Sequence, residues 1–271
     1  MSTVAAEGRS RGLFFTTPLL HSPALTQCIG ADVYIKLDCL QPSGSFKDRG
    51  MAHLITSSNC SRIVSSSGGN AGLAAATVAQ SLQIPCTVVV PTTTKPMVVE
   101  KLRTRLGATV QVTGENWNAA DAVARELVEQ SEAGSTALYV PPFEHELLWT
   151  GHSTVVDEIC DQLPPADGST MEAIIVSAGG GGLLCGVLEG LERNECQAKV
   201  VVAETTGASS FAQAWKQQSL VRLEGIETIA TSLGALQASP TALSRAQAHP
   251  GGVEVAVCSD RQAVEACIRV S

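Results

Sequence analysis

Ala173-Ile174-Ile175-Val176-Ser177-Ala178-Gly179-Gly180-Gly181-Gly182-Leu183 decides the fold. A short apolar, β-branched run fits a buried strand, and Leu184, Val187 and Leu188 recur beyond the glycines at helical spacing. A strand, a tight glycine turn and a helix form half of a strand–helix–strand unit. The same alternation runs outward in both directions. Strands are predicted at Val33–Leu37, Arg62–Ser65, Thr87–Val90, Thr109–Val112, Ala137–Val140, Ala173–Val176, Lys199–Ala203 and Val253–Val257. Helices are predicted at Asn70–Leu82, Pro96–Leu106, Trp117–Ser131, Gly151–Gln162 and Leu183–Asn194. The pattern implies an α/β protein with parallel sheets flanked by helices. The expected organisation is a small domain, residues 51–136, inserted in a large domain of residues 1–50 and 137–271. Leu163–Thr170, with two prolines, reads as a loop and hinge.

A chain of 271 residues with 44% hydrophobic content can bury a substantial core. A net charge of −8 argues against nucleic acid or an anionic membrane as partner. The nine cysteines include no CxxC pair, which reads as reduced thiols in the cytoplasm rather than disulfides or a zinc site. No apolar stretch suits a signal peptide or a bilayer span. Arg9 and Arg11 hint at a mitochondrial leader, and Glu7 argues against one.

Three loops carry chemistry. Four successive glycines let backbone N–H groups turn inward on an anion, and the following helix adds its dipole. No Lys-Ser/Thr follows them, so this is not a Walker A loop. The dinucleotide fingerprint fails as well, because its third glycine falls on Leu184 or Cys185. Glu204 stands after the next strand, where a ribose-binding acid would lie, so a dinucleotide site remains an alternative, as does a turn with no ligand.

Ser65-Ser66-Ser67-Gly68-Gly69-Asn70-Ala71-Gly72 is the second loop, between a strand and an Ala-rich helix. Its amides suit a carboxylate, although Ser and Asn also serve as ordinary caps. The third is Gln41-Pro42-Ser43-Gly44-Ser45-Phe46-Lys47-Asp48-Arg49-Gly50. A lysine at a helix start meets the positive end of the macrodipole, which favours the free amine, and a free amine can condense with a carbonyl. An amine, a phosphate cup and a carboxylate clamp are what a phosphorylated aldehyde cofactor and an amino acid require. Other motifs fail: Trp149 replaces the second histidine of HExxH, and Gly151-His152-Ser153-Thr154-Val155 lacks the last glycine of a nucleophile elbow. His145 and His152 then read as structural.

These residues resemble the fold-type II pyridoxal-phosphate enzymes, and among them the serine/threonine dehydratases. The similarity runs along essentially the whole chain and is closest at 41–50, 65–72, 107–120, 139–152 and 177–186. It implies a two-domain fold and a Schiff-base role for Lys47, with Phe46 packing by the cofactor ring. Asn70 would bond the cofactor's phenolic oxygen, and Gly179, Gly180, Gly181, Gly182 and Leu183 would hold its phosphate. Ser67, Gly68, Gly69 and Ala71 would bind the substrate carboxylate. Glu204, with the carbonyls of Ala208 and Leu233, would match the family's monovalent-cation site, occupied by K+. The implied reaction is elimination from L-serine or L-threonine by a cytoplasmic homodimer.

There are departures. Asp48 gives SFKDRG, which looks more like threonine synthase, and Gly68 replaces an alanine of some animal enzymes. The chain stops at Arg269-Val270-Ser271 where similar proteins continue, so a shortened product with impaired folding or activity is expected. Serine racemase, threonine synthase and a non-catalytic cofactor-binding protein are the alternatives.

Overall fold

The computed structural model describes residues 11–131, 136–164 and 171–270. In chain order its first elements are β1 (Leu19–His21), α1 (Pro23–Ile29), β2 (Tyr34–Lys36), α2 (Lys47–Ser57), β3 (Arg62–Ser65), α3 (Asn70–Leu82) and β4 (Cys86–Val90). Next come α4 (Pro96–Glu100), β5 (Thr109–Val112), α5 (Trp117–Glu129), β6 (Ala137–Val140) and α6 (Glu146–Gln162). The last are β7 (Ala173–Ser177), α7 (Gly182–Arg193), β8 (Lys199–Thr205), α8 (Ser210–Gln217), α9 (Pro240–Ala248), β9 (Val253–Cys258) and α10 (Asp260–Val270).

The chain divides into two compact units. The first takes residues up to Thr16 together with Asp38–His152, and the second takes Thr17–Leu37 with Ser153 onward. These bounds differ from the 51–136 insert expected from sequence. The reason is pairing: β6 joins β3 in register, Ser65 opposite Val140, and so belongs with the strands before it. Most of the expected Leu163–Thr170 hinge lies outside the described residues.

In the first unit four parallel strands run in the order β5-β4-β3-β6. Parallel strands are covered on both faces, so they read as apolar runs; Val88, Val89 and Val90 of β4 are fully buried. Val64 and Val89 meet Ala120 and Ala124 of α5 in a small core cluster. Alanines 74, 75, 76 and 79 bring α3 close to its neighbours. Pro96 starts α4 at its first position, and the predicted 96–106 helix then widens into a π-turn at Lys101–Arg105, where Leu106 N–H reaches Lys101 O.

The second unit holds the parallel sheet β7-β8-β9 and the antiparallel pair β1-β2. Lys36 and Glu158 form a buried ion pair at 2.7 Å, with Lys36 also bonding Gln162 and the Thr17 carbonyl. Among the described residues no helix is long and apolar enough to cross a membrane.

Candidate active site

The strand order of the first unit creates a switch point. From β3 the chain moves outward to β4 and β5, then returns to β6 on the other side of β3. The loops leaving β3 and β6 therefore diverge from neighbouring strand ends, where open parallel sheets leave a crevice for ligands. The Ser66–Gly69 loop follows β3, and Pro141 and Pro142 follow β6.

Lys47 comes to that end of the sheet. It is the first residue of α2, and its Nζ donates to the Pro142 carbonyl at 2.5 Å. Burial pushes its pKa from the ordinary lysine value down to about 8. The sequence points to the helix dipole as what favours the free amine; in the structure desolvation lowers the pKa. Phe46 directly precedes the lysine, with its ring centroid 5.2 Å from Nζ.

Charged side chains hold the start of α2. Arg49 is fully buried and forks onto both oxygens of Asp38 at 2.8 Å. Asp48 is also fully buried; its Oδ2 accepts the Ser43 N–H at 2.7 Å, and its Oδ1 has no partner among the described residues. Burial raises the Asp48 pKa to about 6, against the lowering effect of the Ser43 bond.

His152, which reads from sequence as structural, lies against these residues. Its ring is fully buried and meets Phe46 edge-on at 4.9 Å between centroids. It occupies the space over Gly50, where an added Cβ would come within 2.3 Å of the imidazole. Burial, with Lys47 and Arg49 nearby, holds its pKa well below the usual value, so it is neutral. Neither ring nitrogen has a partner among the described residues. No motif signalled this contact, since it joins residues a hundred positions apart.

In the Ser65–Ala71 loop, Ser67 Oγ accepts the Gly69 N–H at 3.2 Å. Asn70 is exposed at the first position of α3, whose N-cap Gly69 brings no side-chain cap, while Ala71 is buried. Amides of an uncapped first turn are free to take an anion. Phe46, Lys47 and the 67–71 loop thus all belong to the first unit.

The other predicted residues belong to the second unit. Gly179–Gly182 turn from β7 into α7, whose N-cap Gly181 has φ +90° and brings no side-chain cap. A Cβ on Gly181 would lie 2.5 Å from that of Ala242, so backbone alone fits. The Gly180 carbonyl is held by the Ser239 N–H at 3.0 Å, and a Cβ on Gly179 would approach the Leu233 carbonyl at 3.1 Å. This bare backbone cup fits a phosphate, and the Lys47 amine, its pKa lowered by burial, fits an aldehyde.

Glu204, at the end of β8, has a task that sequence did not reveal. Its carboxylate accepts N–H groups of Phe211 at 3.2 Å and Ala212 at 2.6 Å, which caps α8. Burial pushes its pKa up to about 7 against those two bonds. Ala208, the other predicted cation ligand in this stretch, is fully buried.

The family profile described as "Pyridoxal-phosphate dependent enzyme" matches residues 11–271. An L-serine dehydratase of Saccharomyces cerevisiae (strain AWRI1631) is 41% identical over 268 residues, covering 93% of this chain and 78% of the yeast protein. A Bos taurus L-serine dehydratase/L-threonine deaminase is 42% identical over 260 residues, covering 94% and 76%. Among solved structures, a fungal L-serine ammonia-lyase from Rhizomucor miehei superposes with a TM-score of 0.83 at 35% identity, covering 94% of this chain and 79% of that one.

Proposed function

The chain belongs to the pyridoxal-phosphate dependent enzymes, and from that premise we propose that it is an L-serine dehydratase, a lyase converting L-serine to pyruvate and ammonia and L-threonine to 2-oxobutanoate. The observation that carries the reading is Lys47: a partly buried residue whose desolvated amine has a lowered pKa, at the switch point of the sheet that bears the Ser65–Ala71 loop. Pyridoxal phosphate, when bound, supplies an aldehyde that condenses with amines and a ring that accepts electrons.

The amides of Gly179–Gly182 and Leu183 would hold the cofactor's phosphate group, Asn70 would bond its phenolic oxygen and Phe46 would pack by its ring. Ser67, Gly68, Gly69 and Ala71 hold the substrate carboxylate. Lys47 Nζ, free and neutral once substrate is engaged, takes the proton from Cα. Neutral His152 adds no positive charge beside it, which keeps the amine basic enough for that step. K+ fits the same reading, bound by Glu204 with the Ala208 and Leu233 carbonyls, as do a cytoplasmic location and a homodimer.

The test is direct. The purified chain is mixed with pyridoxal phosphate, the visible absorbance of the lysine-bound cofactor is recorded, and pyruvate is assayed after L-serine is added. Absorbance followed by pyruvate is the expected result. Absorbance with D-serine or unchanged L-serine in place of pyruvate would overturn the dehydratase assignment.

A further inference from the structure

Asp121 lies within α5, next to Ala120 and Ala124 of the core cluster, and is 9% exposed. A carboxylate in such a place costs desolvation energy that an apolar residue would not. Its surroundings are built for it. Oδ1 accepts a hydrogen bond from Ser66 Oγ at 2.6 Å and another from the Tyr139 hydroxyl. Oδ2 accepts Arg125 Nε at 2.8 Å, and the Arg125 guanidinium lies 4.2 Å from the centre of the Tyr139 ring. Ser66 Oγ and the Tyr139 hydroxyl are themselves 3.2 Å apart. Burial raises the carboxyl's pKa, but the bonds from Ser66, Tyr139 and Arg125 outweigh it and leave the group below its usual range. Asp121 is therefore ionised, and its bonds are charge-assisted.

What those bonds connect matters more than their number. Ser66 is the fully buried residue between β3 and Ser67, where the loop begins. Tyr139 lies on β6, three residues before Pro142, whose carbonyl receives Lys47 Nζ. One carboxylate thus ties the residue that follows β3 to β6, at the point where the two loops diverge.

We propose that Asp121 is a positioning residue for the substrate: through Ser66 and Tyr139 it fixes the Ser67–Ala71 loop against the strand that leads to the lysine's acceptor, and so sets affinity for the amino-acid carboxylate. This rests on the dehydratase reading of the loop. A core-filling role would affect stability alone, whereas a positioning role separates KM from kcat.

The experiment compares Ser66→Ala and Asp121→Asn with Ala124→Gly, which loosens the same helix without touching the carboxylate. Each holoenzyme is measured with L-serine and, in parallel, by titrating the visible spectrum of the lysine-bound cofactor with glycine, an amino acid with no leaving group. In the first two variants KM for serine and Kd for glycine rise about ten-fold, as expected when a charge-assisted bond ordering the loop is lost. Their kcat stays within about three-fold of the parent. Ala124→Gly lowers Tm and leaves both affinities unchanged. Unaltered glycine binding in Ser66→Ala and Asp121→Asn, or an equal loss in Ala124→Gly, overturns the proposal. A parent that binds glycine but leaves serine unreacted overturns the dehydratase reading instead, while the glycine comparison still decides the role of Asp121.

Discussion

The lysine end of the first unit and the glycine turn of the second are held in opposite ways. Around Lys47 the fixings are polar side chains: Arg49 on Asp38, Asp48 on the Ser43 amide, Asp121 on Ser66 and Tyr139. Around Gly179–Gly182 they are backbone approaches, with Ala242 against Gly181 and the Ser239 amide on the Gly180 carbonyl. The first region is tuned by charge and responds to pH. The second is limited by volume, with little room for a Cβ at Gly179 and none at Gly181. Substitutions should therefore fail gradually in one region and abruptly in the other, once the lysine itself is set aside.

The lysine is the largest expected effect. On the proposed reading Lys47→Ala removes the amine that would engage the cofactor and take the proton, so pyruvate formation should fall on the order of a thousand-fold or more. Its circular dichroism and Tm stay at or above the parent's, because a desolvated amine is removed and the methyl group that remains needs no partner. Turnover surviving in this variant would place the base elsewhere.

Gly181→Val comes next and probes the volume-tuned region. It puts a β-branched side chain at φ +90° and drives its Cβ to within 2.5 Å of Ala242. We expect a loss of about 2–4 kcal/mol of stability and no retention of cofactor on a desalting column. Lys47→Ala and Gly181→Val should thus both lose activity, the first with stability intact and the second without. Urea unfolding of the two distinguishes them, and equal stabilities would break the contrast.

Much of this was legible in the sequence because buried parallel strands write plain apolar runs. β3, β5 and β6 begin and end where the pattern put them, as does α3. The glycine turn and the Ser65–Ala71 loop were found because each sits between such a strand and a helix. The misses have physical causes. α1 and α9 are short, yet each carries a Ser-Pro start, Ser22-Pro23 and Ser239-Pro240, with the serine Oγ accepting a first-turn amide. α8 begins without a side-chain cap of its own and takes Glu204 from β8 instead, a bond that local sequence does not display. The Pro142 acceptor is a backbone atom, which no side-chain motif announces. His152 and Asp121 are single side chains whose partners are distant in sequence. Only three-dimensional packing shows that both stand at the lysine's end of the sheet.

A smaller effect tests the charge-tuned region through pH. With its pKa lowered to about 8, Lys47 in the cofactor-free chain is mostly ammonium below that pH and mostly amine above it. The rate at which added pyridoxal phosphate becomes lysine-bound should rise about ten-fold per pH unit below 8 and level off above it. A plateau reached near pH 10 would mean that the amine is as well solvated as a surface lysine, and the burial argument would be lost.

The smallest effect is on stability, at Asp48. Its folded pKa, near 6, stands above the unfolded value of 3.8, so the folded chain binds the proton more readily. Stability attributable to this group is therefore greatest in acid and declines as pH rises from about 4 to about 6; above that the buried charge acts in full. Asp48→Asn removes the charge while keeping an oxygen for the Ser43 amide. The variant should match the parent near pH 4 and exceed it by about 1–3 kcal/mol at pH 7. Other carboxylates titrate in the same window, so the informative quantity is the difference between the two unfolding curves at each pH. A difference that shrinks as pH rises would show that Arg49 and the start of α2 stabilise the Asp48 carboxylate more than burial penalises it. Charge at the lysine's end of the sheet would then support the fold as well as tune the site.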